Sequence, residues 1–269
     1  MAALAKELRA GGAVLTRNLH MVRRYLSWEL VFLFYSVINV LTIGLIAYAE
    51  PARARSSMVL YLAIGALLWG FLSLLFQEVA NAVSVERWEG TIEYSFMAPV
   101  RRITYLAGTV GYAVLYGLAR TLVALVAVSL FFHLRAPHAD ILGAAVIIVA
   151  SSVPFIGFGL VAAVLPLLST ERGAQATQVI QGVILLVSGV YYPISVLPGW
   201  LQWLGRLSPA TYTLDAERAA ILHAAGWATL GPDVLRLLAA GVVLVPVGLL
   251  VFTWGERMAL RTGRLKRNG

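Results

Sequence analysis

Cysteine is absent from all 269 residues, and charged residues make up only 13% of them. Without cysteine there is no disulfide, no thiolate metal ligand and no cysteine nucleophile, and the redox compartment leaves no trace in the sequence. The charged fraction is about half of the roughly 25% usual in soluble domains. Beside it stand 60% residues of the AVILMFWYC set and a mean hydropathy of +0.82, which exclude a water-soluble, a disordered and a fibrous chain. Lysine is nearly absent as well. Lys6 precedes Glu7 and Lys266 precedes Arg267, so no lysine is followed by Ser or Thr as a phosphate-cradling loop requires. No serine has glycine two residues before it, which removes the nucleophile-elbow pattern. His20, His133, His138 and His223 are scattered, with no second ligand at helical metal spacing. The expectation is a chain that performs no bond chemistry, with no catalytic residue, no metal and no cofactor of its own.

What is present is oil in long runs. A membrane helix needs about 20 predominantly apolar residues to cross roughly 30 Å of hydrocarbon. Six stretches qualify: residues 30–49, 58–76, 103–132, 141–168, 179–197 and 237–254. All but the third lack charge, and the third carries Arg120. The alternating polarity of a membrane β-barrel is missing. The expected fold is an all-α membrane protein of one transmembrane domain, 1–269. It divides into a lead-in at 1–29, a six-span bundle at 30–254 and a basic tail at 255–269.

The net charge of +8 could suggest nucleic acid, but its distribution suggests membrane orientation instead. With six spans both termini share one side with the second–third and fourth–fifth loops. That side collects Lys6, Arg9, Arg17, Arg23, Arg24, Arg87, Arg101, Arg102, Arg172, Arg257, Arg261, Arg264, Lys266 and Arg267. The other side has Arg53, Arg55, Arg135, Arg206 and Arg218. The positive-inside rule puts both ends in the cytoplasm, and no cleavable signal is expected before the first span. Within the lead-in, Leu15, Leu19, Val22 and Leu26 recur at helical spacing, with Arg17, His20, Arg23 and Arg24 on the other side. This predicts an amphipathic helix in the cytoplasmic interface, its apolar face in lipid and its basic face on anionic head groups.

The loop between spans two and three, residues 84–100, reads SVERWEGTIEYSFMAPV. Glu86, Glu89 and Glu93 line one helical face, while Trp88, Ile92 and Phe96 fall roughly opposite. Pro99 stops the element. The charge pattern fits a helix docked in a partner's groove as well as one that merely faces water. The run ERWEGTIE followed by APVRR resembles the cytoplasmic loop of the type-2 ABC exporter permeases, a Glu-Arg-x-x-Gly-Thr-x-Glu run before a Pro-x-x-Arg. The resemblance implies that this loop is a coupling helix fitting a cleft on a separate ATPase subunit. Glu86, Arg87, Glu89, Gly90, Thr91 and Glu93 would form the contact, closed by Pro99 and Arg102. Trp88 stands where the pattern is variable and usually polar.

A second signature begins at Ser188: SGVYYPISVLPGWLQWLGRLSPATYTLDAERAAIL. It is similar to the same family's Ser-Gly-x-aromatic-aromatic-Pro run, then Leu-Pro-x-Trp-Leu, Pro-x-x-Tyr and acidic-x-x-Arg. Pro193 cannot continue a helical ladder, so span five should break there. Trp200, Trp203, Leu204 and Leu207 suit the membrane boundary. Residues 193–233 are therefore expected to dip into the outer leaflet as re-entrant helices, with Tyr191, Tyr192, Pro193, Pro198, Trp200 and Pro209 at the gate. Ser208-Pro209 resembles an N-cap followed by proline at the first helical position.

Inside the membrane, a central Arg costs roughly 2.5–3.5 kcal/mol on insertion scales, so Arg120 should face protein or water, or snorkel outward. Glu78 is the nearest acid, and none is expected to be buried. Gln175, Gln178 and Gln181 form a stripe that continues to Ser188, read either as helix–helix glue or as a pathway or dimer face. Gly157-Phe-Gly159-Leu-Val-Ala162 loosely matches a dinucleotide fingerprint but lies in an apolar span, where small residues let helices approach closely. Pro154, Pro166 and Pro246 are expected to kink spans four and six.

The resemblance implies the membrane subunit of an ATP-driven exporter in the cytoplasmic membrane. It would work with two cytosolic ATPase subunits carrying ATP and Mg, a second permease copy or a similar permease, and membrane lipids, but no nucleic acid. A hydrophobic, drug-like or antibiotic-like molecule or a lipid is the expected cargo. A lipid-linked polysaccharide is the alternative, and a secondary transporter a further one.

Overall fold

The computed structural model describes residues 2–88, 102–134, 139–169 and 173–262, and no strand occurs among them. Helix α1 (Ala2–Arg24) passes through Tyr25 into α2 (Leu26–Ile46), which ends in a 3-10 turn at Ala47–Ala49. Then come α3 (Ala52–Trp88), α4 (Arg102–Phe132), α5 (Ile141–Ala162), α6 (Val164–Leu168), α7 (Gly173–Val187), α8 (Gly199–Leu207), α9 (Pro209–His223) and α10 (Trp227–Arg261). Five stretches are long and apolar enough to cross a membrane: Leu26–Ala49, Ala52–Asn81, Thr104–Phe132, Ile141–Leu168 and Trp227–Arg261. In lipid a helix is the one open element that satisfies its own backbone.

These five correspond to the predicted first, second, third, fourth and sixth runs. The predicted fifth, 179–197, differs because the helix stops early. The 15-residue α7 ends at Val187, so at 1.5 Å per residue it is about 22 Å long, short of the roughly 30 Å core. Helices also overshoot the hydropathy edges. Glu29 lies in α2, Gln77 and Glu78 lie in α3, and α10 starts at Trp227, inside the segment expected to be re-entrant. Glu and Gln are good helix formers, so the backbone ladder continues where the oil ends.

Helix α3 is the axle. Two thirds of its most apolar window (67%) is buried, against 17% for α2, α4 and α10. Phe71, Leu72, Leu75 and Phe76 form the main cluster with Ala113 of α4, Phe155 and Ala162 of α5, and Ala210 of α9. Helix α5 breaks at the turn residue Ala163 before α6, which contains Pro166. Pro154 and Pro246, by contrast, lie inside continuous helices.

Helices α5 and α10 touch through their backbones. Gly241, Gly248 and Gly255 recur every seventh residue of α10. A Cβ on them would lie 2.5 Å from Val153 Cγ1, 2.6 Å from the Gly157 carbonyl oxygen and 2.5 Å from Val164 Cγ1. Gly157 reciprocates: its Cβ would sit 2.6 Å from the Leu244 carbonyl carbon. The small-residue reading of Gly157 and Gly159 holds, since a Cβ on Gly159 would also strike Val79 at 2.7 Å. Close approach of this kind gives the dispersion contacts that hold helices together in lipid.

Helix α1 lies along α4. A Cβ on Gly108 would lie 2.6 Å from the Gly11 carbonyl oxygen and 2.8 Å from Val14 Cβ. The Thr104 hydroxyl donates to Glu7, and the Arg17 guanidinium lies 5.8 Å from the Tyr105 ring centre. Part of α1 expected to face lipid or head groups is thus spent on α4, while Leu8 and Leu19 stay exposed.

Gly248→Leu is expected to abolish the monodisperse gel-filtration peak of the purified chain, because its side chain must displace backbone. Gly12→Ala in α1, whose Cβ meets nothing within 4 Å, should keep that peak and gain about 0.5–1 kcal/mol from the helical preference of alanine.

Candidate functional site

The end of α7 is built by a sequence that cannot stay helical. Gly189 adopts φ +68°, a left-handed conformation open to glycine. Pro193 is extended, with φ −69° and ψ 140°. Between them the chain turns away and leaves the Gly189 and Val190 carbonyls without helical partners. Arg218 of α9 supplies both, donating to the Gly189 oxygen at 3.1 Å and the Val190 oxygen at 2.7 Å. Its guanidinium also stacks 3.6 Å from the centre of the Tyr61 ring on α3. Gly65 makes the junction possible: a Cβ there would lie 2.1 Å from the Val190 oxygen. One buried cation thus ties α3, α9 and the bend after α7 together.

Smaller contacts fix the same corner. The Ser188 and Ser208 hydroxyls pair at 2.8 Å, and the Thr211 hydroxyl donates to the Ser188 carbonyl at 3.4 Å. Ser208 precedes Pro209 at the start of α9 as predicted, but its side chain makes no capping bond. The hydroxyl is engaged by Ser188 instead. The Tyr192 hydroxyl donates to the Leu186 oxygen at 2.6 Å, and Tyr212 donates to the Arg206 oxygen. The Gln202 amide reaches the Leu197 oxygen at 2.7 Å. Tyr191 packs inward against the cluster of Val40, Ala63 and Leu67. Pro193 and Pro198 are exposed, and Trp200 and Trp203 of α8 are 69% and 64% exposed, forming an apolar face.

Burial sets the electrostatics of α9. It lowers the affinity of Arg218 for its proton, against the opposing pull of Tyr61 and Asp215. It raises the Asp215 carboxyl, with Arg218 acting the other way. Glu217 is 3% exposed, its Oε2 has no hydrogen-bond partner, and burial pushes its carboxyl up to about 8.

The glutamine stripe divides. Gln175 and Gln178 are exposed, while Gln181 is buried and accepts from the Gln77 amide of α3 at 2.8 Å. Three-residue steps drift about 60° each around a helix of 3.6 residues per turn, so the three cannot share one environment. Val179, Gly182, Val183 and Leu186 continue the exposed side.

A second polar site was not anticipated. Arg120 does not snorkel to open surface. It donates to the Phe32 carbonyl of α2 at 2.7 Å and to the Tyr116 hydroxyl at 3.4 Å, and Tyr116 in turn donates to Glu29. Glu78 lines the same cavity as Arg120. The expectation that no acid is buried in the spans is wrong, since Glu256 of α10 is also buried, and with it falls that argument against a secondary transporter. The signal was the helix overshoot at Glu29 and Glu78, beyond where the apolar runs were closed.

The remaining predicted residues separate by position. Glu86 and Arg87 lie on the last turn of α3, and Arg102 opens α4. Glu89, Gly90, Thr91, Glu93 and Pro99 lie outside the described residues. Arg17, Arg23 and Arg24 are exposed at the end of α1. No candidate metal cluster exists among the described residues.

Two measurements check the corner. Arg218→Lys should cost about 1.5–3 kcal/mol of stability in uncharged detergent, the scale of a charged hydrogen bond, since one ammonium poorly replaces a forked donor spanning two carbonyls. Glu217 binds its proton more tightly folded than unfolded. Its contribution is therefore fully present below the ordinary carboxyl range and lost as pH rises through about 8. A thermal unfolding midpoint that falls across that window in the wild type should flatten in Glu217→Gln.

No curated protein sequence matches this chain. The model of the ABC-2 type transporter family matches residues 12–222, well over half of the chain and running from α1 to the end of α9. With its membrane-length helices, the chain belongs to the ABC-2 type transporter family: it is an integral membrane permease of an ABC transporter, the part that works with an ABC ATPase.

Proposed function

We propose that the chain is the permease half of an exporter in the cytoplasmic membrane. Two copies, or one copy and a similar permease, pair with two cytosolic ATPase subunits that hold ATP and Mg. The cargo is a hydrophobic, drug-like or antibiotic-like molecule or a lipid, moved outward. The observation that carries this reading is the bare side of α7. Gln175, Gln178, Val179, Gly182 and Val183 are exposed, yet α7 is pinned to the axle helix through Gln181 and Gln77. A helix fixed to the core with one mixed polar and small-residue side open suits a second permease and a path between α3 and α7 of the two copies.

The short α7 also supports a sixth crossing completed by the bend at 188–193, with α8 in the outer leaflet, where its two tryptophans suit the boundary. Both termini then lie on the inner side. The basic end of α1 lies at the inner interface, and α3 emerges there too. Its 37 residues extend about 55 Å, far beyond the hydrocarbon core, and carry Glu86 and Arg87 toward an ATPase. ATP-driven closure of the ATPases would push on residues 84–100 and on α1. Less supports a lipid-linked polysaccharide. Its path would use free aromatic rings; Tyr191 is packed inward and the Tyr192 hydroxyl is engaged, which leaves Trp200 as the exposed ring of the three.

The test is charge reversal at Glu86, Glu89 and Glu93 together, in the permease reconstituted with its ATPase. Export per ATP hydrolysed should fall about tenfold or more, since like charges across a docked surface cost several kcal/mol. Unchanged ATPase binding and unchanged export would reject the coupling role.

A further inference from the structure

The cavity beside Arg120 is a site in its own right. It lies between α2, α3 and α4, away from the bare side of α7, is open on one side at Gly70 and holds about 190 Å³. A cavity of some 150 Å³ accepts a benzene-sized molecule, and about six waters would fill this one. Its two ends differ. Toward the end of α3 nearer Trp88 it is lined by Ser73, Gln77, Glu78 and Arg120. Toward the middle of the helices it is lined by Val40, Ala66, Leu67 and Ala124, with the hydroxyls of Ser36 and Thr121 beside them. A polar head and an apolar tail are the shape such a lining fits.

The polar end is rich in acceptors. The Gln77 amide nitrogen is used on Gln181, leaving its oxygen. The Ser73 hydroxyl is buried and has no hydrogen-bond partner. Glu78 accepts no hydrogen bond among the described residues. Arg120, the one cation lining the cavity, is drawn toward Phe32 and Tyr116 instead. Glu78 is the one acid of the lining, and Arg120 gives its hydrogen bonds elsewhere. The complement is a group with one positive charge and several N–H donors. A primary ammonium carries three.

The geometry points to this cavity as a binding site for a primary-ammonium amphiphile, its head on Glu78, Ser73 and Gln77 and its tail along the apolar end. The ammonium comes either from an ethanolamine lipid of the bilayer or from a free cationic amphiphile. The inference goes beyond the exporter reading, and binding is measured with no ATPase present, so either can fail alone.

Native mass spectrometry of the full chain in uncharged maltoside micelles tests it. The probes are phosphatidylethanolamine, phosphatidylcholine and phosphatidylglycerol of matched chains, and separately decylammonium against decanol. The wild type is expected to retain the ethanolamine lipid, or decylammonium, about tenfold over its controls, a difference of about 1.4 kcal/mol. Retention of the lipid alone identifies the bilayer as the source. Retention of decylammonium alone identifies a free amphiphile. Glu78→Gln should erase the preference. So should Gly70→Leu, which places a side chain at a cavity-lining position where a Cβ meets nothing within 4 Å. Both variants are checked for a monodisperse gel-filtration peak, and Gly70→Leu decides if Glu78→Gln does not fold. Equal retention of all probes, or an amine preference that survives in a folded variant, overturns the proposal.

Discussion

The fold hinges on how a helix can end inside a membrane protein. Every broken ladder leaves carbonyls that lipid cannot satisfy, and the end of α7 leaves those of Gly189 and Val190. Arg218 resolves this with two hydrogen bonds and a stack on Tyr61. The arrangement places α9 over the bend and holds α7 at a length too short to cross alone. Remove the guanidinium, and the chain must either extend α7 through a glycine and a proline or bury bare carbonyls. Gly65, Gly189, Pro193 and Arg218 are therefore one device written at four distant places in the sequence.

Around that device the core has a clear hierarchy. Helix α3 is buried over two thirds of its most apolar window, α5 and α10 form a backbone-tight pair, and α2 and α4 present mostly side chains to the exterior. Apart from Glu256, buried on α10, charge among the described residues gathers in two places. One is the Arg218 corner, where the cation is consumed by structure. The other is the cluster of Glu29, Glu78 and Arg120, where Glu78 and Arg120 line a space.

Much of this was legible in the sequence. The apolar runs gave five membrane-length helices because length and hydropathy are nearly sufficient in lipid. The start of α9 at Pro209 followed from the missing proline N–H, whereas the break expected at Pro193 comes earlier, after Val187, where Gly189 turns the chain. The two family-like runs near Glu86 and Ser188 pointed to the family that the chain proved to match. Three-dimensional partnerships were not legible. Arg218 stood in the sequence as one end of an acidic-x-x-Arg motif, with nothing to say that it would reach back some 28 residues to two carbonyls. Arg120 was expected to snorkel because its partners, the Phe32 carbonyl and Tyr116 with Glu29, are a backbone atom and groups beyond the hydropathy edge. Ser208 was read as a cap because local spacing says nothing of Ser188 across the turn. The face of α1 met α4 through Gly11 and Gly108, a fit between two glycines that no single-helix periodicity announces.

The heptad of glycines on α10 bears on how such a protein can move. At Gly241 and Gly248 helix α10 takes Val153 and the Gly157 carbonyl of α5 against its own main chain, and at Gly255 it takes Val164 of α6, so a lengthwise slide would drive these groups into backbone rather than past a yielding side chain. The α5–α10 pair therefore behaves as a single stiff beam. Displacement delivered from one face of the membrane reaches the other through it undiminished, and the compliance of the machine resides in the looser seams around α2 and α4.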